Sequence, residues 1–262
     1  MTEPDLDLEL LTETLRKTMT TASGAELDTA LVGLGWPDML AEMPDVAVPL
    51  VFRLFGETGA HAPLLNDVVC QAAGLPIGGT VPLPYAGGSW VVWERGAATG
   101  AALDDAMAEC VADSGVALPL AAGRRALAWW LIGTSRAMLD LARTHALDRT
   151  QFGRAVASFQ AIRHKLAETH VAIEGAEATL DYATDELGSL LAKAAAGQAA
   201  LTAARHCQQV LGGIGFTAEH DLQRHIKRTL VLDGLLGSAR ELIRESGAMI
   251  RTQGHAPRLA QL

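Results

Sequence analysis

The second half of this chain keeps one periodicity almost throughout. From Ala121 onward, apolar residues return every three or four positions, the spacing that places them on one face of an α-helix. Leu127, Trp130 or Leu131, Thr134, Met138 and Leu141 form one stripe, and Phe159, Ile162, Leu166, Thr169, Ile173 and Ala176 form a second. The Ala-rich run from Leu190 to Leu211 makes a third, and Leu222 to Ile243 carries a fourth pattern broken at Gly234 and Gly237. Helices joined by short loops can bury such stripes only against one another, which predicts an antiparallel four-helix bundle.

The first half is helical but interrupted. Leu8, Leu11, Leu15 and Met19 fall on one helix face. Helical pieces follow at Glu26 to Gly33, Trp36 to Ala41 and Val46 to Gly59, punctuated by Gly and by Pro37, Pro44 and Pro49. Pro63 opens another that runs to Ala73. From Gly74 to Gly96 the texture changes, with Pro76, Pro82 and Pro84 among Gly78, Gly79, Gly87 and Gly88. Two β-like runs, Thr80 to Leu83 and Ser89 to Glu94, predict at most a small hairpin or surface strand pair. Ala102 to Leu120 is ambiguous, with a short strand around Val116 to Leu118 as one reading.

Charge and cysteine content narrow the function classes. A net charge of −9 argues against nucleic acid or an anionic membrane surface as a partner. An anionic ligand must then be met by local Arg residues or helix N-termini. The longest apolar patch, Ala126 to Gly133, is far short of the ~18 to 20 residues of a membrane span, and the acidic opening Met1 to Leu10 has no signal-peptide core. A cytoplasmic protein is expected. Cys70, Cys110 and Cys207 suit neither a disulfide framework nor a zinc site and read as free thiols. No metal site is expected. No Walker loop, no GxGxxG after a strand, no HExxH and no CxxC occurs.

Two helix-end motifs remain. The first is Asp148-Arg149-Thr150-Gln151-Phe152-Gly153, followed by Ser158-Phe159-Gln160-Ala161-Ile162-Arg163-His164-Lys165-Leu166-Ala167. It sets an Arg and a Gln at a helix end before a Gly turn, and a planar guanidinium there suits a phosphate bidentately. The second is Gln209-Val210-Leu211-Gly212-Gly213-Ile214-Gly215-Phe216, which strips side chains from a post-helix loop so that backbone can approach a flat ring or a phosphate.

Together, RxQFG, the FQAxxHxLA run and QxxGGxGF resemble the C-terminal helical domain of the acyl-CoA dehydrogenase family, from about Ala121 to Ile250. The resemblance implies a mainly α fold: a C-terminal four-helix bundle with a helical N-terminal region and a middle β-domain. It implies FAD lying between subunits. Arg149, Gln151, Phe152, Gln209 and Gly213 would then reach the ADP half of a neighbour's FAD. Residues 1–73 match a reduced N-terminal helical region, 74–118 a remnant of the β-domain, 119–255 the bundle and 256–262 a tail.

The chain departs from the family at two points. Members of the family take a substrate α-proton with a Glu while hydride passes to the flavin. Counting from Gly215, that Glu position is Leu236, and the position used by a minority of the family is Gly123. Neither holds a base. Asp233, three residues earlier on the same expected helix face, is a candidate displaced base, with a helix cap as the alternative; Glu241 and Glu245 read as solvated. The segment 74–118 is also too short for the family's β-domain. Both losses resemble the short, non-catalytic subunit of bacterial heteromeric α2β2 acyl-CoA dehydrogenases of steroid catabolism. The phrases Gly35-Trp36-Pro37-Asp38-Met39-Leu40 and Leu235-Leu236-Gly237-Ser238 resemble that group too. The resemblance implies a catalytic partner subunit that binds most of the acyl-CoA, and FAD shared with it. A flavin-free scaffold and a self-sufficient flavoenzyme remain as alternatives.

The other chemistry-bearing residues read as structural. Trp90, Trp93, Trp129 and Trp130 are expected in the core or at an interface, and His164, His220 and His225 as hydrogen-bonded structural groups. Arg124 and Arg125, at a helix start, read as solvent-facing or interface charges.

Overall fold

The computed structural model describes residues 3–95, 107–110 and 118–256. The first half contains α1 (Glu3–Thr21), α2 (Gly24–Gly33), α3 (Trp36–Glu42), α4 (Pro44–Thr58) and α5 (Leu64–Ala72). Strands β1 (Pro82–Tyr85), β2 (Ser89–Trp93) and β3 (Met107–Cys110) follow as an antiparallel sheet in that order. The second half holds α6 (Ala121–Asp148), a two-residue hairpin of β4 (Thr150–Gln151) and β5 (Arg154–Ala155), then α7 (Gln160–Asp181), α8 (Glu186–Leu211), α9 (Asp221–Gly234) and α10 (Ala239–Gln253).

The bundle forms as its stripes dictate. Helix α6 lies along α8, α7 covers both, and α9 closes against α6 and α8. The fourth pattern, however, is two helices and not one. Helix α9 ends at Gly234, over which the Tyr85 ring packs, so that a Cβ there would lie 2.7 Å from Tyr85 Cε2. Helix α10 restarts at Ala239 under a capping box, in which Ser238 Oγ accepts from the Glu241 N–H and the Glu241 carboxylate accepts from the Ser238 N–H. It packs against α8.

The outer face of α6 carries α4. The two helices cross where both lack side chains: a Cβ on Gly56 would lie 2.6 Å from the Gly133 carbonyl carbon. Around this crossing the aromatic residues meet. Phe55 and Trp130 rings are 5.1 Å apart, Phe52 and Trp130 5.8 Å, and Trp93 stacks on Trp130 at 6.2 Å. One apolar cluster therefore runs unbroken from Leu15 through the sheet to Leu236. Trp93 and Trp130 are core, while Trp129 is partly buried under the Arg53 guanidinium.

The sheet exceeds the predicted hairpin. Its third strand comes from Met107–Cys110, inside the stretch whose pattern was ambiguous, and pairs Trp90 with Cys110. The sequence Met-Ala-Glu-Cys has no apolar alternation, so only the pairing with β2 reveals it. Val116 and Ala117 lie outside the described residues, and Leu118 belongs to no strand. Leu83, Val91 and Trp93 bury the sheet's inner face. Below it, buried Asp67 accepts from Trp36 Nε1 (3.0 Å) and the Gly78 N–H (2.8 Å), and pairs with Arg95 (2.5 Å). Arg95 also holds Asp28, at 2.8 and 2.9 Å. Helices α2, α3 and α5 are thus tied to the sheet through one guanidinium. Cys70 and Cys207 are buried free thiols; burial pushes the Cys207 thiol up to about 12.

Candidate functional site: a closed end and an open end of the bundle

The up-down topology puts the starts of α6 and α8 and the finish of α9 at one end of the bundle. The finish of α6, the finish of α8 and the start of α9 lie at the other. The sequence motifs divide between these ends.

At the first end Leu236 and Gly123, the two positions singled out by counting in the sequence, face each other. Leu236 is 1% exposed, and a Cβ on Gly123 would meet its Cδ1 at 2.8 Å and Val69 Cγ2 at 2.9 Å. The Leu236 side chain therefore fills the space above Gly123, against α5 and α6. Its backbone is left-handed (φ 56°), its N–H donates to the Pro84 carbonyl at 2.8 Å, and Leu235 bridges to Tyr85. The α9–α10 linker is thereby fastened to the edge of the sheet.

The charged residues here differ from expectation. Arg124 is buried, not solvent-facing: its Nε donates to the Leu236 carbonyl at 3.3 Å, and its guanidinium pairs with Glu186 and, at 3.7 Å, with Glu245. Asp233 does not share a helix face with Leu236, because α9 ends at Gly234 between them. Its Oδ1 accepts the Ala239 N–H at 3.1 Å, so it helps cap α10. Glu241 is not simply solvated. Besides its capping role it accepts the Gly87 N–H at 2.9 Å, and these bonds, from Gly87 first and then Ser238, pull its carboxyl down to about 2. Glu245 is exposed.

Sequence reasoning missed Lys193. It is fully buried on α8 and donates from Nζ to the carbonyls of Asp233 (2.8 Å) and Gly237 (2.6 Å). Burial pushes its ammonium down to about 7, against the attraction of the Asp233 carboxylate. The available signal was a single Lys in the α8 stripe, three residues after Leu190 and four before Gly197.

At the other end, Arg149, Gln151, Phe152, Gln209 and Gly213 are all exposed. The β4–β5 turn holds Phe152 at φ 52° and 92% exposure, its ring edge-on to Phe159 at 6.1 Å. The Arg154 guanidinium lies over the Phe159 ring at 4.2 Å. Gly212 to Phe216 forms a short 3-10 segment in which a Cβ on Gly213 would meet open space. Phe216, 65% exposed, closes it. Among the described residues no carboxylate pairs with Arg149, which lines an open groove of about 960 Å³ with His145, His220 and His225. Gln151, Phe152, Gln209 and Gly213 lie outside that lining. His220 caps α9, its Nδ1 accepting the Leu222 N–H at 3.1 Å. His225 is buried and pushed down to about 4 by burial, then by Arg224 and Arg228. Its Nδ1 finds no partner among the described residues. His164 is near Gln160 at 3.4 Å. No group of three potential metal ligands occurs among the described residues, and no described helix is long and apolar enough to cross a membrane.

The family described as acyl-CoA dehydrogenase, C-terminal domain, matches residues 116–248, just over half of the chain, and the chain belongs to the acyl-CoA dehydrogenase family. Acyl-CoA dehydrogenase IpdE2 of Mycolicibacterium smegmatis is 36% identical over 122 residues, 45% of this chain and 39% of the relative. The chain spans about two fifths of the length of the curated relatives it matches. Among solved structures, a chain of the ChsE4-ChsE5 complex from Mycobacterium tuberculosis superposes with a TM-score of 0.69 at 19% identity, over 98% of this chain and 99% of that one. A chain of the Tcur3481-Tcur3483 steroid ACAD gives the same TM-score and identity over 95% of this chain and 99% of that one. The shared fold thus runs beyond the bundle into the first half.

Proposed function

We propose that this chain is the non-catalytic subunit of a heteromeric, FAD-dependent acyl-CoA dehydrogenase, and that it completes the FAD site of a catalytic partner. The observation behind this reading is the closed end. Leu236 and Gly123 stand at the two counted base positions, and the buried Leu236 side chain packs over Gly123, so neither offers a carboxylate there. Asp233, the displaced candidate, is committed to the Ala239 N–H.

The open end fits the adenine and phosphate half of FAD. An exposed guanidinium without a carboxylate partner, an exposed Gln and a side-chain-free loop are the donor set that a pyrophosphate and a flat ring require. Arg149 would hold phosphate, Gln209 and the Gly213 backbone would approach the adenosine, and Gln151 and Phe152 would flank it. Bound FAD supplies the hydride acceptor for α,β-desaturation. This chain's part is to bind and orient its ADP half. Among the described residues the sheet has three strands, small for covering an isoalloxazine, and on this reading the ring would belong to the partner.

Exposed Phe152, Phe216, Val171 and Tyr182 are apolar surface that a partner would cover. Similarity in fold to a chain of the ChsE4-ChsE5 complex and to the steroid ACAD supports a hetero-oligomer and a bulky, steroid-derived acyl-CoA; the α2β2 stoichiometry, substrate binding mainly by the partner and a cytoplasmic location are part of the proposal. Co-expression with a neighbouring acyl-CoA dehydrogenase-like protein, gel filtration and a visible spectrum test the reading. A yellow hetero-oligomer beside a colourless isolated chain is expected. A yellow, active homo-oligomer of this chain alone overturns it, and a colourless protein that takes no partner replaces it with a scaffold.

A further inference from the structure

The linker between α9 and α10, residues 235–238, is held more tightly than a four-residue connection requires. Two of its carbonyls, and that of Asp233 just before it, accept from buried cations. Lys193 Nζ reaches Asp233 (2.8 Å) and Gly237 (2.6 Å), and Arg124 Nε reaches Leu236 between them (3.3 Å). The Asp233 carbonyl belongs to the last turn of α9, where carbonyls lack helical partners and the helix dipole favours a cation. Both cations come from the bundle wall, Lys193 from α8 and Arg124 from α6. Placing an amine at a fully buried position is costly, and a Leu or Met there would fill the same volume without that cost. Its retention needs a reason beyond packing.

The groups around Lys193 define what the amine does. The Asp233 carboxylate and the Glu241 carboxylate attract it from α9 and α10, and Arg124 repels it from α6. Arg124 is balanced in turn by Glu186 and Glu245. The amine bonds to backbone carbonyls, so its hold is on the path of the linker and is indifferent to the side chains the linker carries. On the far side the Leu236 N–H donates to Pro84 on β1. Between these two fastenings Leu236 is kept at φ 56°, a conformation a branched residue does not adopt unaided.

We infer that Lys193 is a positioning residue: it ties the carbonyls on both sides of Leu236 and so holds residue 236 over Gly123. The identity of residue 236 as the place where relatives keep the base rests on the family reading above; the clamp itself rests on distances and burial. Either protonation state of the amine has enough N–H groups to reach both carbonyls.

Hydrogen exchange on the full chain tests this without reference to flavin or partner, so its failure is distinguishable from failure of the proposed function. In Lys193→Met, which keeps the stem and removes the donors, amides 235–238 should exchange roughly 10- to 100-fold faster. Amides around Ile173 on α7 should keep their protection. A folded Lys193→Met with unchanged linker protection overturns the inference. Should that variant not fold, the native protein gives the second reading. Competitive labelling with an amine reagent should modify Lys193 only as fast as the linker opens by exchange, far more slowly than exposed Lys17 and Lys227. Labelling of Lys193 at the rate of Lys17, with the linker still protected, overturns it equally.

Discussion

Among the described residues two non-glycine positions hold left-handed backbone, and they mark opposite kinds of site. Phe152, at φ 52°, is 92% exposed in the turn between α6 and α7. Leu236, at φ 56°, is 1% exposed in the linker between α9 and α10. Each costs about 1 kcal/mol of strain or more, so each must be held by its surroundings. Around Leu236 the holding groups are Lys193, Arg124 and the β1 edge, and the result is a filled, dry space. Around Phe152 only a two-residue hairpin does the holding, and the ring stands in solvent. One end is filled by its own side chains. The other presents exposed Arg149, Gln151, Phe152, Gln209 and Gly213.

The comparison breaks if the closed end is not where stability resides. Leu236→Ala should destabilise by about 2–5 kcal/mol in denaturant unfolding, as a buried Leu truncation does. Leu236→Gly should cost less than Leu236→Ala, reversing the usual order, because Gly adopts φ 56° without strain. Equal or greater loss with Gly would mean that the backbone conformation is not strained there.

At the open end the effect should fall on binding alone. In the co-purified complex, Arg149→Ala should weaken flavin retention about 10- to 100-fold, the worth of charge-assisted hydrogen bonds to phosphate, with unfolding unchanged to within about 0.5 kcal/mol. A stability loss as large as that of Leu236→Ala would erase the distinction between the two ends.

A pH series sharpens the contrast further. Burial lowers Lys193 from 10.5 to about 7 in the folded state. Between those values the unfolded chain binds a proton that the folded chain does not, so this group makes stability rise with pH, by up to about 1.4 kcal/mol per unit. Unfolding of wild type and Lys193→Met at pH 7 and pH 9 checks it: the difference between them should change with pH in that sense. The smallest effect belongs to the cap. Glu241→Gln should cost about 1 kcal/mol at neutral pH through the capping box and the Gly87 contact. In wild type that contribution is present above the ordinary Glu value and is lost as pH falls through the window down to about 2. A pH-independent Glu241 contribution would contradict it.

Legibility followed the same division. The bundle was readable because its stripes are long and amphipathic, and the two motifs stood out because they occur together at that separation, each alone being weak. All five of the motif residues at the open end are exposed. The closed end was readable only as a substitution, Leu236 and Gly123 in place of a carboxylate. The break after Gly234, the burial of Arg124 and the capping roles of Asp233 and Glu241 depend on Tyr85, β1 and α8, which are distant in the chain. Strand β3 was hidden for the same reason, since its four residues have no pattern until β2 lies beside them.

Local chemistry alone, then, settled the helices of the bundle, the turns at its open end and the absence of a base at both counted positions, because each is a matter of residue type and spacing. Only tertiary contact decided that Leu236 fills the space above Gly123 and that Lys193 lies wholly inside. Burial and long-range hydrogen bonds are properties of neighbours brought together by folding, and a one-dimensional pattern does not contain them.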